Sequence, residues 1–399
     1  MRVYFDYNAT SPLAPEVVDA VVRATRDVYG NASSVHHFGQ QAKAALDDAR
    51  SAVALLINAD PSEVVFTGGG TESDNFALRG TAGVFEGLES AGRKHLVASA
   101  IEHEAVLNTL KALAKRGWRT SLIAVDQSGV VSPDRLRDVI APDTAIVSVM
   151  HANNEIGTVQ PIAELAAIAH EHGALMHTDA VQSVGKIAVD VRALGVDLLS
   201  LSAHKFNGPK GAGALWIKRG TRMLPAMTGG KHERNRRAGT ENVPAIAGLG
   251  VAASLAMSPG KLARESERVG ALRDRLESGI LRSVPGTAVN GAGSPRVPNT
   301  TNVSFDRVEA ESLLIALDLE GIAVSTGSAC SSGTLEPSHV LRAMGLPTHR
   351  TQNSLRFSLG MFSTDAEVDR VVEVMPRIVE KLRTLTKAQG SRLKAQYNS

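Results

Sequence analysis

The chain carries a single cysteine, Cys330, among 399 residues. One thiol cannot close an intramolecular disulfide, and it cannot build a thiolate zinc cage. A disulfide-stapled secreted scaffold is excluded, and a reducing, cytoplasmic setting is the expectation. Aromatic residues are scarce at 4%, too few for a base-stacking nucleic-acid surface. Net charge is nearly absent, since 43 Lys and Arg face 41 Asp and Glu. No broad field therefore draws the chain to nucleic acid or to an acidic membrane. The opening Met1-Arg2-Val3-Tyr4-Phe5-Asp6 has no apolar signal core, and no uncharged apolar run approaches a membrane span.

What is present has the balance of a soluble enzyme. Hydrophobic residues make up 43% and charged residues 21%, close to the globular average. The length predicts two or three domains. The 36 glycines predict many tight turns and close backbone approaches.

Short β-rich runs alternate with helical patterns through the middle of the chain. Glu63-Val64-Val65-Phe66, His95 to Ala98, Thr144 to Val149, Ala174 to His177, Asp197 to Leu201 and Ala214 to Ile217 read as strands. Thr71 to Phe85, Glu104 to Lys115 and a run opening at Pro161 read as helices. This alternation predicts an α/β fold with a mostly parallel sheet covered on both faces. A smaller α+β unit follows Ser258-Pro259-Gly260. It opens with Val269, Leu272, Leu276 and Ile280 at helical spacing. The polar tail from Lys387 to Ser399 is expected to fray.

In an open α/β sheet the ligand lies beyond the carboxyl ends of the strands, so the residues just after each strand carry the information. Thr67-Gly68-Gly69-Gly70-Thr71 leads into a helix, where free N–H groups and the dipole suit a phosphate. It lacks the lysine of a Walker loop and the spaced glycines of a dinucleotide fingerprint. An ordinary glycine turn capped by Thr71 is the plainer alternative. Asp179 follows the strand at His177, where an acid could hold a cation, a sugar hydroxyl or a protonated ring nitrogen; a turn aspartate is commoner. Lys205 follows the strand at Leu201, flanked by Ser202 and His204. A partly buried amine there loses its proton readily and can form a Schiff base; a surface lysine is the plain alternative. Together a phosphate cradle, an acid and an amine are what pyridoxal 5′-phosphate requires for its phosphate, ring nitrogen and aldehyde.

Nine segments then carry a specific resemblance. They are Asp6-Tyr7-Asn8-Ala9-Thr10, Gly70-Thr71-Glu72-Ser73, Glu102-His103-Glu104, Asn153 to Gly157, His177 to Gln182, Ser202-Ala203-His204-Lys205, Arg237 to Thr240, Thr326 to Cys330 and Leu355 to Ser358. In collinear order, from about residue 3 to about residue 370, they resemble the cysteine desulfurases of the nitrogen-fixation and iron–sulfur-assembly branch.

The resemblance implies fold type I of the pyridoxal phosphate enzymes. A large domain would span residues 14–258, and a small domain residues 1–13 and 259–399. It implies that Lys205 binds the cofactor aldehyde and shuttles the substrate α-proton. Asp179 would face the ring nitrogen, Gln182 and Asn154 the ring oxygen and substrate, and His103 would stack on the ring and act catalytically in proton transfer. Gly70, Thr71, Ser202 and His204 would hold the phosphate, joined by Thr240 from the second subunit of a homodimer. Arg356 would clamp the substrate carboxylate, with Asn31 helping to orient it. L-cysteine would yield L-alanine and a persulfide on Cys330, passed to an iron–sulfur scaffold protein or another acceptor.

Cys330 sits in Ser325-Thr326-Gly327-Ser328-Ala329-Cys330-Ser331-Ser332-Gly333, a segment of small residues. A lone cysteine is more often a buried hydrophobe, but this is a poor place to bury one, and exposure is expected. The thiolate is the reactive form, and no Lys or Arg adjoins it in sequence. Cys330 is also a candidate ligand of a transferred iron–sulfur cluster; no metal site is read within the chain itself. Lys231 to Arg237 reads as a solvated basic loop that the family brings near its partner's site. The chain departs from the family's usual pattern at Gly69-Gly70, where Gly-Ala is common, at Ala32, where Pro is common, and in its tail. Two rivals stay open: another pyridoxal phosphate reaction such as transamination or selenocysteine cleavage, and a nucleotide-binding module built on the glycine turn.

Overall fold

The structure, a computed structural model, describes residues 1–86, 92–225, 227–326 and 337–397, with 386–397 as backbone alone. Among the described residues twelve strands occur in chain order: β1 Val3–Tyr4, β2 Val64–Thr67, β3 His95–Ser99, β4 Arg119–Ile123, β5 Thr144–Ser148, β6 Leu175–Asp179, β7 Leu198–Ser202, β8 Gly213–Ile217, β9 Thr287–Asn290, β10 Thr300–Phe305, β11 Ile322–Ala323 and β12 Ser354–Ser358.

Seven of them form the main sheet, ordered β2-β8-β7-β6-β5-β3-β4. All its neighbours pair in parallel except β8, which runs antiparallel to both β2 and β7. The cause is the short link from Ser202 to Gly213, which holds only the single turn Ala203–Lys205. A parallel return needs a crossover helix, and there is no room for one. β5 and β7 are buried along their whole length, which explains why they read as apolar runs rather than as alternating ones.

Side chains divide between the two faces of this sheet. Leu198 joins a core with Phe76, Leu78, Val106 and Leu110, from helices Gly70–Glu86 and Glu104–Ala114. Leu199 and Leu201 join the opposite core with Leu46, Val53, Leu165 and Leu249. That second cover comes from helices His37–Leu56, Ile162–Glu171 and Val243–Met257. The strand period of two sorts them.

A separate core gathers Val3 and Phe5 with Val269, Leu276, Phe305, Leu317 and Phe357. It contains the antiparallel sheet β12-β10-β9 and the parallel pair β1-β11. The very start of the chain therefore packs with its last third.

One expectation is corrected and one strand is new. The tail from Lys387, expected to fray, is helical as far as Tyr397 in helix Asp365–Tyr397. The edge strand β4 was not anticipated, since Arg119-Thr120-Ser121-Leu122-Ile123 is mostly polar and buries only Ile123. An edge strand with one covered face needs no apolar run.

Candidate active site

Because β8 is antiparallel to both neighbours, β2, β5, β6 and β7 all end at one edge of the sheet. A cavity opens there. It is lined by Gly70, Thr71, Asp74, His103, Met150, Asn154, Asp179, Val181, Gln182, Ser202, His204 and Lys205.

The glycine turn after β2 leads into helix Gly70–Glu86, so the positive end of that helix reaches the cavity wall. Gly69 has φ +148°, which β-carbon residues avoid. A side chain at Gly70 would meet Val181 Cγ2 at 2.7 Å. Across the turn, Ser202 Oγ is buried and has no hydrogen-bond partner. A buried hydroxyl without a partner is costly, and a phosphate would supply one. His204 Nδ1 lies 3.2 Å from Thr10 Oγ1. Burial, with Lys205 and Lys210 nearby, pushes the His204 ring down to about 4.

Asp179 closes β6 and is buried, with Oδ1 accepting the Val181 N–H at 2.9 Å. Burial raises its carboxyl, opposed by that bond and by His103 and Lys205. An acid buried at a cavity wall is suited to pairing with a cation from the ligand. Sequence reasoning missed Asp74. It also lines the cavity, has Oδ1 without a hydrogen-bond partner, and stands 3.7 Å from His177 Nε2. Burial first, and Asp179 second, hold it well above the carboxylate range. Its signal was the spacing of four from Gly70, one helical turn on. Glu102, raised to about 8 by burial, accepts from Ser99 Oγ and from the Met150 N–H at 2.7 Å.

His103 caps helix Glu104–Ala114 through Nδ1, which accepts the Ala105 N–H at 3.1 Å. That bond places the neutral ring's proton on Nε2. Lys205 Nζ donates to the Asn8 carbonyl at 2.6 Å and the Ala9 carbonyl at 2.8 Å. Burial lowers its amine to about 8; Arg356 pushes the same way, while Asp179 and Asp6 oppose. Gln182 donates from Nε2 to the Asn8 carbonyl at 3.0 Å and accepts at Oε1 from Lys186 at 2.7 Å.

Arg356 belongs to β12 and is buried. It donates to the Asn154 carbonyl at 3.0 Å and to Asp6 Oδ1 at 2.7 Å, and so joins the small core to the cavity wall. Its backbone also pairs with Ser325. Ser338 Oγ donates to Glu155 Oε2 at 2.5 Å, and His339 Nε2 bonds the Glu102 carbonyl at 2.9 Å. Cys330 lies outside the described residues, but described residues on both sides of it are tied to the site. Asn31 and Thr240 are exposed and are not among the cavity residues. The basic loop is more structured than expected. Glu233 is buried against Arg50 at 2.8 Å, and Arg237 meets Glu72 at 2.8 Å.

The donor set suits a phosphorylated pyridine aldehyde: an orphan hydroxyl and a helix N-terminus for phosphate, a buried acid for the ring nitrogen, and a deprotonatable amine for the aldehyde. No group of three His, Cys, Asp or Glu that could hold a metal occurs among the described residues.

Comparison with known proteins agrees. The model of the family "Aminotransferase class-V" matches residues 3–371. A "Cysteine desulfurase IscS" of Dictyoglomus turgidum is 48% identical over 385 residues, 96% of each chain. A "Cysteine desulfurase" of Gluconacetobacter diazotrophicus is 50% identical over 387 residues, 96% of this chain and 95% of its own. Among solved structures, a "NIFS-LIKE PROTEIN" superposes with TM-score 0.89 at 37% identity, covering 96% of this chain and 100% of its own. The structure "SspA in complex with cysteine" gives TM-score 0.80 at 34% identity, covering 91% of this chain and 100% of its own.

Proposed function

The chain belongs to the aminotransferase class-V family, and from that premise we propose how a pyridoxal 5′-phosphate-dependent cysteine desulfurase works in this cavity. The enzyme takes sulfur from L-cysteine, leaves L-alanine and serves iron–sulfur assembly. The observation that carries the site assignment is the convergence on one cavity of Asp179, from the end of β6, with Ser202 and Lys205, from the end of β7 and the turn that follows it.

Gly70, Thr71, Ser202 and His204 hold the phosphate, with Thr240 of a second copy in a homodimer. Asp179 would pair with the protonated ring nitrogen, His103 would stack on the ring and transfer protons, and Asn154 and Gln182 would hydrogen-bond the ring oxygen and the substrate. When bound, pyridoxal phosphate supplies an electron sink that makes the substrate α-carbon acidic and loosens the β-carbon–sulfur bond. Lys205, whose amine is lowered to about 8 by burial, is deprotonated often enough near neutral pH to move the α-proton. Arg356 grips the substrate carboxylate and Asn31 orients it. The Cys330 thiolate attacks the substrate sulfur. A sulfur–sulfur bond forms as the carbon–sulfur bond breaks, and the persulfide passes to a scaffold protein or a small thiol. With no second thiol in the chain, that sulfur has no intramolecular route away.

The division into residues 14–258 and residues 1–13 with 259–399 puts Arg356 and Cys330 on one unit and the cofactor residues on the other. The setting is the cytoplasm. The assignment is tested by treating the holoenzyme with L-cysteine without reductant and weighing the Cys330 peptide. One added sulfur atom is expected; an unmodified Cys330 peptide under turnover overturns it.

A further inference from the structure

Lys186 is a lysine that neither the sequence motifs nor the proposed chemistry uses. It follows the site turn after β6, four residues beyond Gln182, and reaches inward. Its Nζ donates to Gln182 Oε1 at 2.7 Å and to Asn8 Oδ1 at 2.9 Å. Neither partner is a carboxylate. Burial first, then the like charges of Lys205 and Arg356, push the amine well below its ordinary range. Such an amine is costly to bury without an anion, so what it does for its partners matters.

A lysine ammonium donates and cannot accept, and even the neutral amine keeps two N–H groups. As the donor to Gln182 Oε1 and Asn8 Oδ1 it sets both amides with their oxygens toward it. With Oε1 taken by Lys186, Gln182 must present Nε2 to the Asn8 carbonyl and the cavity. One N–H goes to that carbonyl and the second remains for a ligand acceptor. With Oδ1 of Asn8 taken by Lys186 and by Asn299 at 3.0 Å, Asn8 must present Nδ2 to the Asn154 carbonyl at 3.0 Å and Thr300 Oγ1 at 2.8 Å. The Asn8 carbonyl, held in this way, receives Lys205 Nζ at 2.6 Å.

We infer that Lys186 is a positioning residue of the active site: it locks the Gln182 amide as a donor toward the cofactor and, through Asn8, fixes where the Lys205 amine stands. This rests on the assignment of Lys205 and Gln182 to pyridoxal phosphate, and it goes beyond that assignment by naming what orients them. Lys186 is not among the residues that line the cavity.

The test uses Lys186→Met, which keeps length without a donor, and Lys186→Gln, whose shorter amide cannot serve both partners. Apoprotein melting, the dissociation constant of pyridoxal phosphate, its visible absorbance band once bound, and kcat and KM for L-cysteine are measured. The apoprotein melting temperature changes little, because the desolvation cost of the buried amine is removed while Gln182 Oε1 loses its donor. Both variants bind pyridoxal phosphate about tenfold more weakly, the loss of one well-placed hydrogen bond. The band shifts, and kcat falls while KM holds. Wild-type affinity with an unshifted band in either variant overturns the inference. So does a lowered apoprotein melting temperature with an unshifted band, which marks a merely structural lysine. Failure of the wild type itself to form a visible band would instead overturn the site assignment, so the two failures are told apart.

Discussion

Arg356 and Asp6 meet at 2.7 Å across the boundary between the small core and the cavity. The guanidinium proposed to grip the substrate is thus already held by an acid on one side and by the Asn154 carbonyl on the other. A guanidinium fork fixed in this way presents its remaining donors with little left to order. Lys in its place keeps the charge and loses the fork. Arg356→Lys is expected to raise KM for L-cysteine about ten- to a hundredfold, the worth of a charge-assisted pair. Steady-state kinetics check it, and an unchanged KM would remove Arg356 from the substrate site.

Ser202 gives a prediction with opposite signs in two states. Its buried Oγ has no partner in the protein, so removing it relieves the apoprotein and deprives the holoenzyme. Ser202→Ala should melt at or above the wild type without cofactor, and bind pyridoxal phosphate roughly five- to tenfold more weakly. Calorimetry with and without cofactor reads both.

Gly213 buttresses the same cradle from β8. A side chain there would stand 2.6 Å from Gly69 Cα and 2.7 Å from the Leu201 carbonyl. Neither is the free end of a side chain that could move aside. Gly213→Ala should cost about 1–3 kcal/mol by overpacking and distort the glycine turn, so cofactor retention falls with stability. Retention of full cofactor after dialysis would contradict it.

Arg50 and Glu233 form a buried two-bonded pair, and Glu233 Oε2 also accepts the Phe66 N–H at 2.9 Å. They pin a segment in which Glu233, Arg234 and Asn235 all have positive φ, at 44°, 57° and 65°. Removing one partner strands a buried charge. Arg50→Met should destabilise by about 3–5 kcal/mol, and adding Glu233→Leu should recover part of that loss. Denaturant unfolding of the two variants makes the comparison.

The amine of Lys205 sets a pH dependence. Its value is lowered to about 8, with burial as the main cause and Arg356 as the next. Only the unprotonated amine reacts with an aldehyde, so capture of pyridoxal phosphate by the apoprotein should rise as pH climbs through about 8. Arg356→Gln removes a like charge, raises the amine, and moves that rise to higher pH. A shift to lower pH would be the wrong sign.

Much of this was legible in the sequence because strand ends announce themselves. Asp179, Ser202 and Lys205 stand where apolar runs stop, and the sheet edge collects them. The reversal of β8 was not read, although the short Gly- and Pro-containing link after Ser202 encodes it. β4 escaped because an edge strand carries no apolar run. Lys186 and Asp74 escaped for another reason. Each is a lone polar residue whose partners come from elsewhere in the chain: Asn8 for Lys186, His177 and Asp179 for Asp74. Only the spacing of four, from Gln182 and from Gly70, hinted at a shared face.

The most direct test of the account is the product analysis of L-cysteine turnover by the holoenzyme under a thiol reductant, beside Lys205→Ala and Cys330→Ala. The wild type should give alanine and sulfide in equal amounts, and both variants should give neither. Pyruvate in place of alanine, or full sulfide release by Cys330→Ala, would contradict it.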